Sequence, residues 1–415
     1  MADPFLWGTA TAAHQVEGGN IHNDWWRFEQ EPGRIAGGDR SGAAADHWNR
    51  VAHDVGLMTA LGANAYRFSV EWSRVEPTEG RWDDAAWDHY VDEVAQLRAA
   101  GVVPMATLLH FTLPAWLADR GGLLATDFPD VFARFAAEAA TRLSDVRWWV
   151  TINEPNVVMV LGYVEGVFPP AVRDPRLAVR AAVAQLRGHG AASVAVRRVL
   201  PDARIGLAHH LADLQPKNPA NPVDRLVTGQ SAQLFNWAFQ DAVTHGRIRL
   251  RTAGFPSVDV EAPELLGSTD FFGLNYYNRY LISFAPRTPA KVAWEYGDGP
   301  KTDMGYEVYP AGFERVLRAA WERYRLPVVV TENGVADDSE WVRPAALKWH
   351  VEAMRAAMAA GVPVLGYFYW SLLDNFEWAE GYAKRFGLYR VDYATQERHP
   401  TAACELFRAY ATGQA

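Results

Sequence analysis

Apolar residues follow one recurring arrangement along the chain. Trp48, Val51, Val55 and Met58 stand three and four apart; Gly62 follows, and then a stretch from Asn64 to Val70. Trp87, Tyr90, Val91, Val94 and Leu97 repeat the spacing, with Gly101 and then Val102 to Leu109. After Pro344 the same holds for Leu347, Val351, Met354 and Met358, with Gly361 and then Val362 to Trp370. Spacing of three and four residues predicts a helix with one buried stripe. A glycine just past the stripe supplies the left-handed conformation that ends a helix, and proline suits the first turn. The stretches after each glycine carry apolar residues at successive positions, as strands do when helices cover both faces of a parallel sheet.

Eight strands emerge on this reading, at roughly 5–12, 64–70, 102–109, 147–153, 204–210, 269–276, 327–332 and 363–371. Eight strands alternating with helices predict an α/β fold, a (β/α)8 TIM barrel formed by residues 1–415 as one domain. A doubly wound sheet is the competitor. It calls for G-x-G-x-x-G after the first strand, and Gly18-Gly19-Asn20 does not fit. No repeat, low-complexity tract or linker divides the chain.

Composition narrows the function. The net charge of −9 offers no basic footprint for nucleic acid. No apolar run reaches the roughly 20 residues of a membrane span. Met1-Ala2-Asp3-Pro4 has no basic start and no long apolar segment behind it, so no leader is expected. The single cysteine, Cys404, rules out an intrachain disulfide and points to the cytoplasm. Aromatic residues reach 13%. A large core accounts for them; so does sugar binding, because aromatic faces pack on the C–H faces of pyranose rings.

Two predicted strands end in a glutamate. W-W-V-T-I-N-E-P-N (148–156) closes on Asn153 and Glu154 before Pro155, and V-V-V-T-E-N-G (328–334) closes on Glu332 before Asn333 and Gly334. A carboxylate out of water is costly unless paired or protonated. In a barrel of this type catalytic groups sit at the C-terminal strand ends, so both acids are expected in one mouth. Such a pair suits glycoside hydrolysis, with retention at a separation of about 5–5.5 Å and inversion at about 6.5–9.5 Å. Each acid is expected to shift the other, the ionised nucleophile keeping its partner protonated. The bland alternative is a structural pairing with arginine, for which Arg67 in Y-R-F-S-V is placed. Zinc chemistry finds no H-E-x-x-H or paired C-x-x-C, and His209-His210 are strand neighbours facing opposite ways, poor co-ligands and better read as packed or solvated. A phosphate loop and a G-x-S-x-G elbow are absent. No cofactor is implied.

T-I-N-E-P-N and V-T-E-N-G together resemble the signatures of glycoside hydrolase family 1, the retaining β-glucosidases and β-galactosidases. The resemblance runs nearly end to end. F-L-W-G-T-A-T-A-A-H-Q-V-E-G (5–18), Y-R-F-S-V-E-W-S-R (66–74), G-L-N-Y-Y (273–277), Y-W-S-L-L-D-N-F-E-W (369–378) and R-F-G-L-Y-R-V-D-Y (385–393) all look like its conserved segments. N-E-P-N-V-V and G-V-F-P-P are most similar to the archaeal-type β-glycosidase branch. The resemblance implies Glu154 as general acid and then base, and Glu332 as the nucleophile that forms a glycosyl ester. It implies that Asn153 contacts the sugar 2-hydroxyl, and that Arg67 and Tyr277 hold Glu332 ionised and oriented. Gln15, His110, Asn275, Glu377, Trp378 and Phe386 would surround the remaining hydroxyls, with Trp370 as stacking floor. Read singly, His110 is equally a satisfied core histidine, and Trp370 and Trp378 are equally core.

The partner is then a small-molecule β-glycoside or oligosaccharide. Phospho-sugar members of the family carry a serine with a downstream lysine and tyrosine. Here Glu377-Trp378 and Lys384 followed by Phe386 stand instead, and a carboxylate at 377 repels phosphate. Phe111 and Thr112 replace the Trp and Asp of many members. Segments 211–226 and 278–312 look trimmed, and Trp294 and Tyr306 in the latter are read as covering the barrel. An endo-acting barrel glycanase and a silent sugar-binding relative are the competing readings. The first lacks the Gln15, His110 and Glu377-Trp378 set, and the second lacks a glutamate. Transglycosylation follows from the same covalent intermediate.

Overall fold

Eight strands close into an all-parallel barrel in the computed structural model: Leu6–Ala10 (β1), Ala65–Ser69 (β2), Val103–Leu109 (β3), Trp148–Asn153 (β4), Arg204–His210 (β5), Phe271–Tyr276 (β6), Val328–Asn333 (β7) and Val364–Trp370 (β8). Each pairs with the next, and β8 returns to β1 with Leu6 opposite Gly366 and Ala10 opposite Trp370. All eight lie where the pattern placed them, β7 extending one residue past the expected end. The structure describes residues 4–252, 254–288 and 291–415. Met1–Asp3, read above for a leader, and residues 289 and 290 of the 278–312 segment lie outside these.

The strands are buried on both faces because helices surround them. These are His47–Ala60 (α1), Asp84–Ala99 (α2), Phe128–Arg142 (α3), Pro175–Val199 (α4), Pro222–Ala232 (α5), Ala238–His245 (α6), Pro310–Tyr324 (α7), Val342–Ala359 (α8) and Ala403–Ala411 (α9). Their ends obey local chemistry. Asp83 accepts from the Ala86 N–H at the start of α2, and Asp174 caps α4 ahead of Pro175. Gly62, Gly101 and Gly361 carry φ of 67°, 74° and 93° just past α1, α2 and α8, a region that disfavours any side chain. The stripe residues Val51, Val55, Met58, Tyr90, Val94 and Leu97 are buried. Val91 is not: it is 41% exposed, one position off the face that its neighbours bury. Among the described residues no helix is long and apolar enough to cross a membrane.

Two features bear on the strand ends. The pairing of β4 with β5 loses register between Val150 and Asn153, and β7 does so against both neighbours after Val330. Such slips re-aim side chains locally, and here they immediately precede Glu154 and Glu332. Beyond β5 and β6, Asp213–Pro216, Arg279–Phe284 and Val292–Glu295 build a separate three-stranded sheet.

Between α1, α2 and the C-terminal hairpin lies a buried charge cluster. His47 Nδ1 meets Asp54 at 2.8 Å and its Nε2 meets Glu93 at 3.3 Å, while Arg398 binds Asp54 at 3.0 Å. The cluster fastens α1 and α2 to the hairpin of Tyr389–Asp392 and Glu397–Pro400. Burial opposes charge on His47, yet hydrogen bonds to Asp54 and Glu93 prevail and lift it to about 10. Burial likewise opposes charge on Asp54, and His47 and Arg398 bring it down to about 2. His47 therefore contributes stability fully below its ordinary 6.5, lost as pH rises through 10. Asp54 contributes above its ordinary 3.8, and that is lost as pH falls through 2. Asp54→Asn removes one partner of a buried pair and is expected to cost about 3–5 kcal/mol. Urea unfolding at pH 6, where both contributions are complete, measures the loss.

Candidate active site

Glu154 ends β4 in an unusual conformation. Its φ of 44° and ψ of 56° place it in the left-handed region, and Pro155 follows at the first position of a short helix. A non-glycine residue pays of order 1 kcal/mol for that conformation, so the surrounding contacts over-determine it. Its Oε1 accepts from Asn275 Nδ2 at 2.8 Å and lies 3.2 Å from His210 Nδ1. Across the mouth, Glu332 Oε1 accepts from Arg67 Nη1 at 2.6 Å and Oε2 accepts from the Tyr277 hydroxyl at 2.6 Å. Both acids are buried.

Arg67, on β2 and fully buried, organises the floor. Besides Glu332 it donates to the Thr331 carbonyl, to Asn153 Oδ1 at 2.7 Å and to Thr107 Oγ1 at 2.9 Å. Asn275 Nδ2 also donates to Asn153 Oδ1 at 3.1 Å, and Asn275 Oδ1 accepts from Thr331 Oγ1 at 2.6 Å. One hydrogen-bonded chain thus joins Glu154, Asn275, Asn153, Arg67, Glu332 and Tyr277. Expected around the sugar, Asn275 has both amide hydrogens committed within the protein. Beyond Glu332, Gly334 packs against the Trp370 carbonyl so closely that a Cβ would overlap it. That contact fixes the ends of β7 and β8 against each other.

Burial pushes Glu332 up to about 7; Arg67 works against this, and repulsion from Glu154 adds to it. Burial also raises Glu377 to about 8, with Glu332 adding and the Gln15 hydrogen bond opposing. Near pH 7 Glu377 therefore tends to keep its proton, so it both donates and accepts. This alters the charge that the sequence alone assigns to it. Burial and the nearby Arg67 drive His110 well below its ordinary value, leaving a neutral imidazole.

The remaining predicted residues meet beside this floor. Gln15 Nε2 donates to Asn375 Oδ1 at 2.9 Å and to Glu377 Oε2 at 3.1 Å, while its Oε1 is buried without a partner among the described residues. His110 Nε2 lies 3.1 Å from Asn153 Nδ2, and its Nδ1 is likewise unpartnered. The His110 ring stacks on Trp370 at 5.7 Å and on Trp378 at 6.1 Å, so it belongs to the mouth rather than to the outer core. Phe386 meets Tyr277 edge-on at 6.1 Å. Unpaired buried polar atoms cost about 1–3 kcal/mol each, and a ligand rich in hydroxyls relieves that cost.

His210, read from the sequence as packed or solvated, is a residue of the mouth. His209 does face outward, onto Gln240 and Phe272, but His210 turns into the mouth and touches Glu154. Its position at the end of β5 was the available signal. Trp294 reaches His210 through Phe235, which meets both rings at 5.6 Å, and Tyr306 packs against the apolar cluster that holds Trp370 and Trp378. Phe111 packs on Trp378 and Phe168, whereas Thr112 is tied to Glu71 at 3.0 Å. Among the described residues no three His, Cys, Asp or Glu side chains converge as a metal site requires.

The chain matches the glycosyl hydrolase family 1 pattern over residues 1–414. It is 36% identical over 418 residues to beta-glucosidase A of Thermotoga maritima, covering 95% of this chain and 94% of that one. A beta-galactosidase of Pyrococcus woesei is 30% identical over 484 residues, covering 96% and 94%. Superposed on the solved family 1 β-glucosidase from Thermotoga maritima, the fold gives a TM-score of 0.95 at 35% identity over 100% and 99% of the two chains. A barrel with two facing glutamates, ordered sequence motifs and an end-to-end match lead to one conclusion: the chain belongs to glycosyl hydrolase family 1.

Proposed function

We propose that this protein is a retaining exo-β-glycosidase that removes β-glucosyl, and also β-galactosyl or fucosyl, units from the non-reducing end of a small glycoside or oligosaccharide. The observation that carries the reading is Glu332, gripped by Arg67 and Tyr277, in one buried mouth with Glu154. In the first step Glu332 attacks the anomeric carbon while Glu154 protonates the departing oxygen; the glycosidic bond breaks and an ester forms. In the second, Glu154 takes a proton from water, the water oxygen bonds to that carbon and Glu332 leaves. Two inversions give retention. An alcohol or second sugar in place of water gives transglycosylation.

The unpartnered atoms of Gln15 and His110, and Glu377 with its carboxyl raised by burial, support recognition of hydroxyls. Trp370 and Trp378 supply apolar faces beside them. Asn153 keeps an amide hydrogen for the 2-hydroxyl, and Asn275 steadies Glu154. A neutral rather than phosphorylated sugar is supported by Lys384, whose ammonium is spent on the Asp303 carbonyl at 2.7 Å. Relatives bearing the names beta-glucosidase and beta-galactosidase agree with this substrate class, as does a Thermotoga maritima structure titled as a complex with deoxynojirimycin. A cytoplasmic setting belongs to the same reading and is supported by the free, buried thiol of Cys404.

Proton NMR during hydrolysis of para-nitrophenyl β-glucoside is expected to show β-glucose first, and Glu332→Gln to abolish turnover. Early α-glucose would refute retention, and no turnover of glucoside or galactoside by the wild type would favour a silent sugar-binding protein. Glu332 must be ionised to attack, so kcat/KM is expected to fall as pH drops below about 7. Tyr277→Phe removes a donor to that carboxylate. It should move this acidic limb to higher pH and lower kcat/KM roughly tenfold to a hundredfold, the worth of one hydrogen bond to a charged group.

A further inference from the structure

Glu154 is held by one oxygen only. Asn275 and His210 both converge on Oε1, at 2.8 Å and 3.2 Å, and Oε2 receives no hydrogen bond from the described residues. The Nδ2 of Asn275 can only donate, which keeps Oε1 bare and leaves Oε2 as the oxygen that carries the proton. A bare Oε1 in turn requires His210 Nδ1 to be the protonated nitrogen, since two acceptors 3.2 Å apart would repel. The imidazole is fixed in that pose. Its face stacks on Tyr277 at 5.7 Å with 24° between planes, and the ring of Phe235 meets it at 5.6 Å and 69°. The carbonyl of His210 accepts from Asn156 at 2.7 Å, which secures the backbone beneath it.

We infer that His210 is a positioning residue for Glu154: its Nδ1–H fixes the carboxylate with Oε2 forward, assisting the step in which Glu154 acts as base. A hydrogen bond to the charged form of an acid makes that acid release its proton more readily. The titratable groups facing the pair are few. Glu332 and Tyr277 face Glu154 from β7 and the end of β6, with Glu377 and Tyr306 at longer range. Glu154 and Tyr277 face His210, and Phe235 and Asn156, which complete its surroundings, carry no charge. The side chain of His210 is 13% exposed, so the contact lies out of bulk water yet can exchange protons with it. The inference rests on the glycosidase reading above.

The test is the alkaline limb of kcat/KM, which reports loss of the proton from Glu154, on a glycoside whose leaving group needs protonation. His210→Phe keeps the ring over Tyr277 and removes the N–H. The alkaline limb is expected to move to higher pH by about half a unit to one unit, with the acidic limb of Glu332 unmoved. On an aryl glycoside with an activated leaving group, where the base step limits turnover, kcat is expected to fall by about threefold to tenfold. His210→Asn places an amide N–H where Nδ1 stands and is expected to bring the alkaline limb back. Should the Phe variant not fold, His210→Ala makes the same comparison with Asn. An alkaline limb that stays in place or moves down, or that Asn does not restore, overturns the inference while a hydrolysing wild type leaves the glycosidase reading intact. A wild type without turnover overturns both.

Discussion

The buried pairing of Arg67 with Glu332 is the constraint around which the site is arranged. A carboxylate withdrawn from water is unfavourable by itself, and even a paired one is rarely a net source of stability. The barrel supplies what makes it tolerable. Strand β2 points a fully buried guanidinium at the acid, and three more of its hydrogens go to the Thr331 carbonyl, Asn153 and Thr107. Tyr277 takes the second oxygen. The same withdrawal from water raises Glu332 to about 7 and Glu377 to about 8. Three acids share one mouth because they need not all be ionised together.

Rigidity follows from shared hydrogen bonds rather than from any one of them. Asn275 serves Glu154 and Asn153, Asn153 serves Arg67, and Arg67 serves Glu332. Moving one member displaces the next, so the two glutamates are positioned relative to each other by residues from β2, β4, β6 and β7. Parallel strands all present their C-terminal ends to one side, which is why groups far apart in the chain can be linked this way. The register slips before Glu154 and Glu332 complete the aim.

Around this floor the mouth divides by chemistry. On one side Gln15, His110, Glu377, Trp370 and Trp378 combine flat rings with polar atoms that lack protein partners. On the other, His210, Phe235 and Trp294 pack in sequence, joined to the sheet that follows β5 and β6. On this second side, Trp294 belongs to the segment 278–312, which looks trimmed, and His210 at the end of β5 touches Glu154.

The barrel and the two acids are legible in the chain alone. Helix stripes closed by Gly62, Gly101 and Gly361 reflect backbone sterics, which are local, and doubly buried strands reflect composition, which is also local. That Glu154 and Glu332 stand at strand ends is visible from the turn residues behind them. Which neighbours those acids have depends on strands that meet only in the folded barrel. Asn275 resembled a sugar contact and is occupied by Glu154; His210 looked packed or solvated and faces Glu154; Glu377 looked charged and is raised by burial. For Asn275 and His210, both on strands, the physical reason is register; for Glu377, which lies beyond β8, it is burial. Alternation assigns a strand residue to a face, but a slip of one position reverses the assignment, and both register and burial are properties of strands meeting across the barrel.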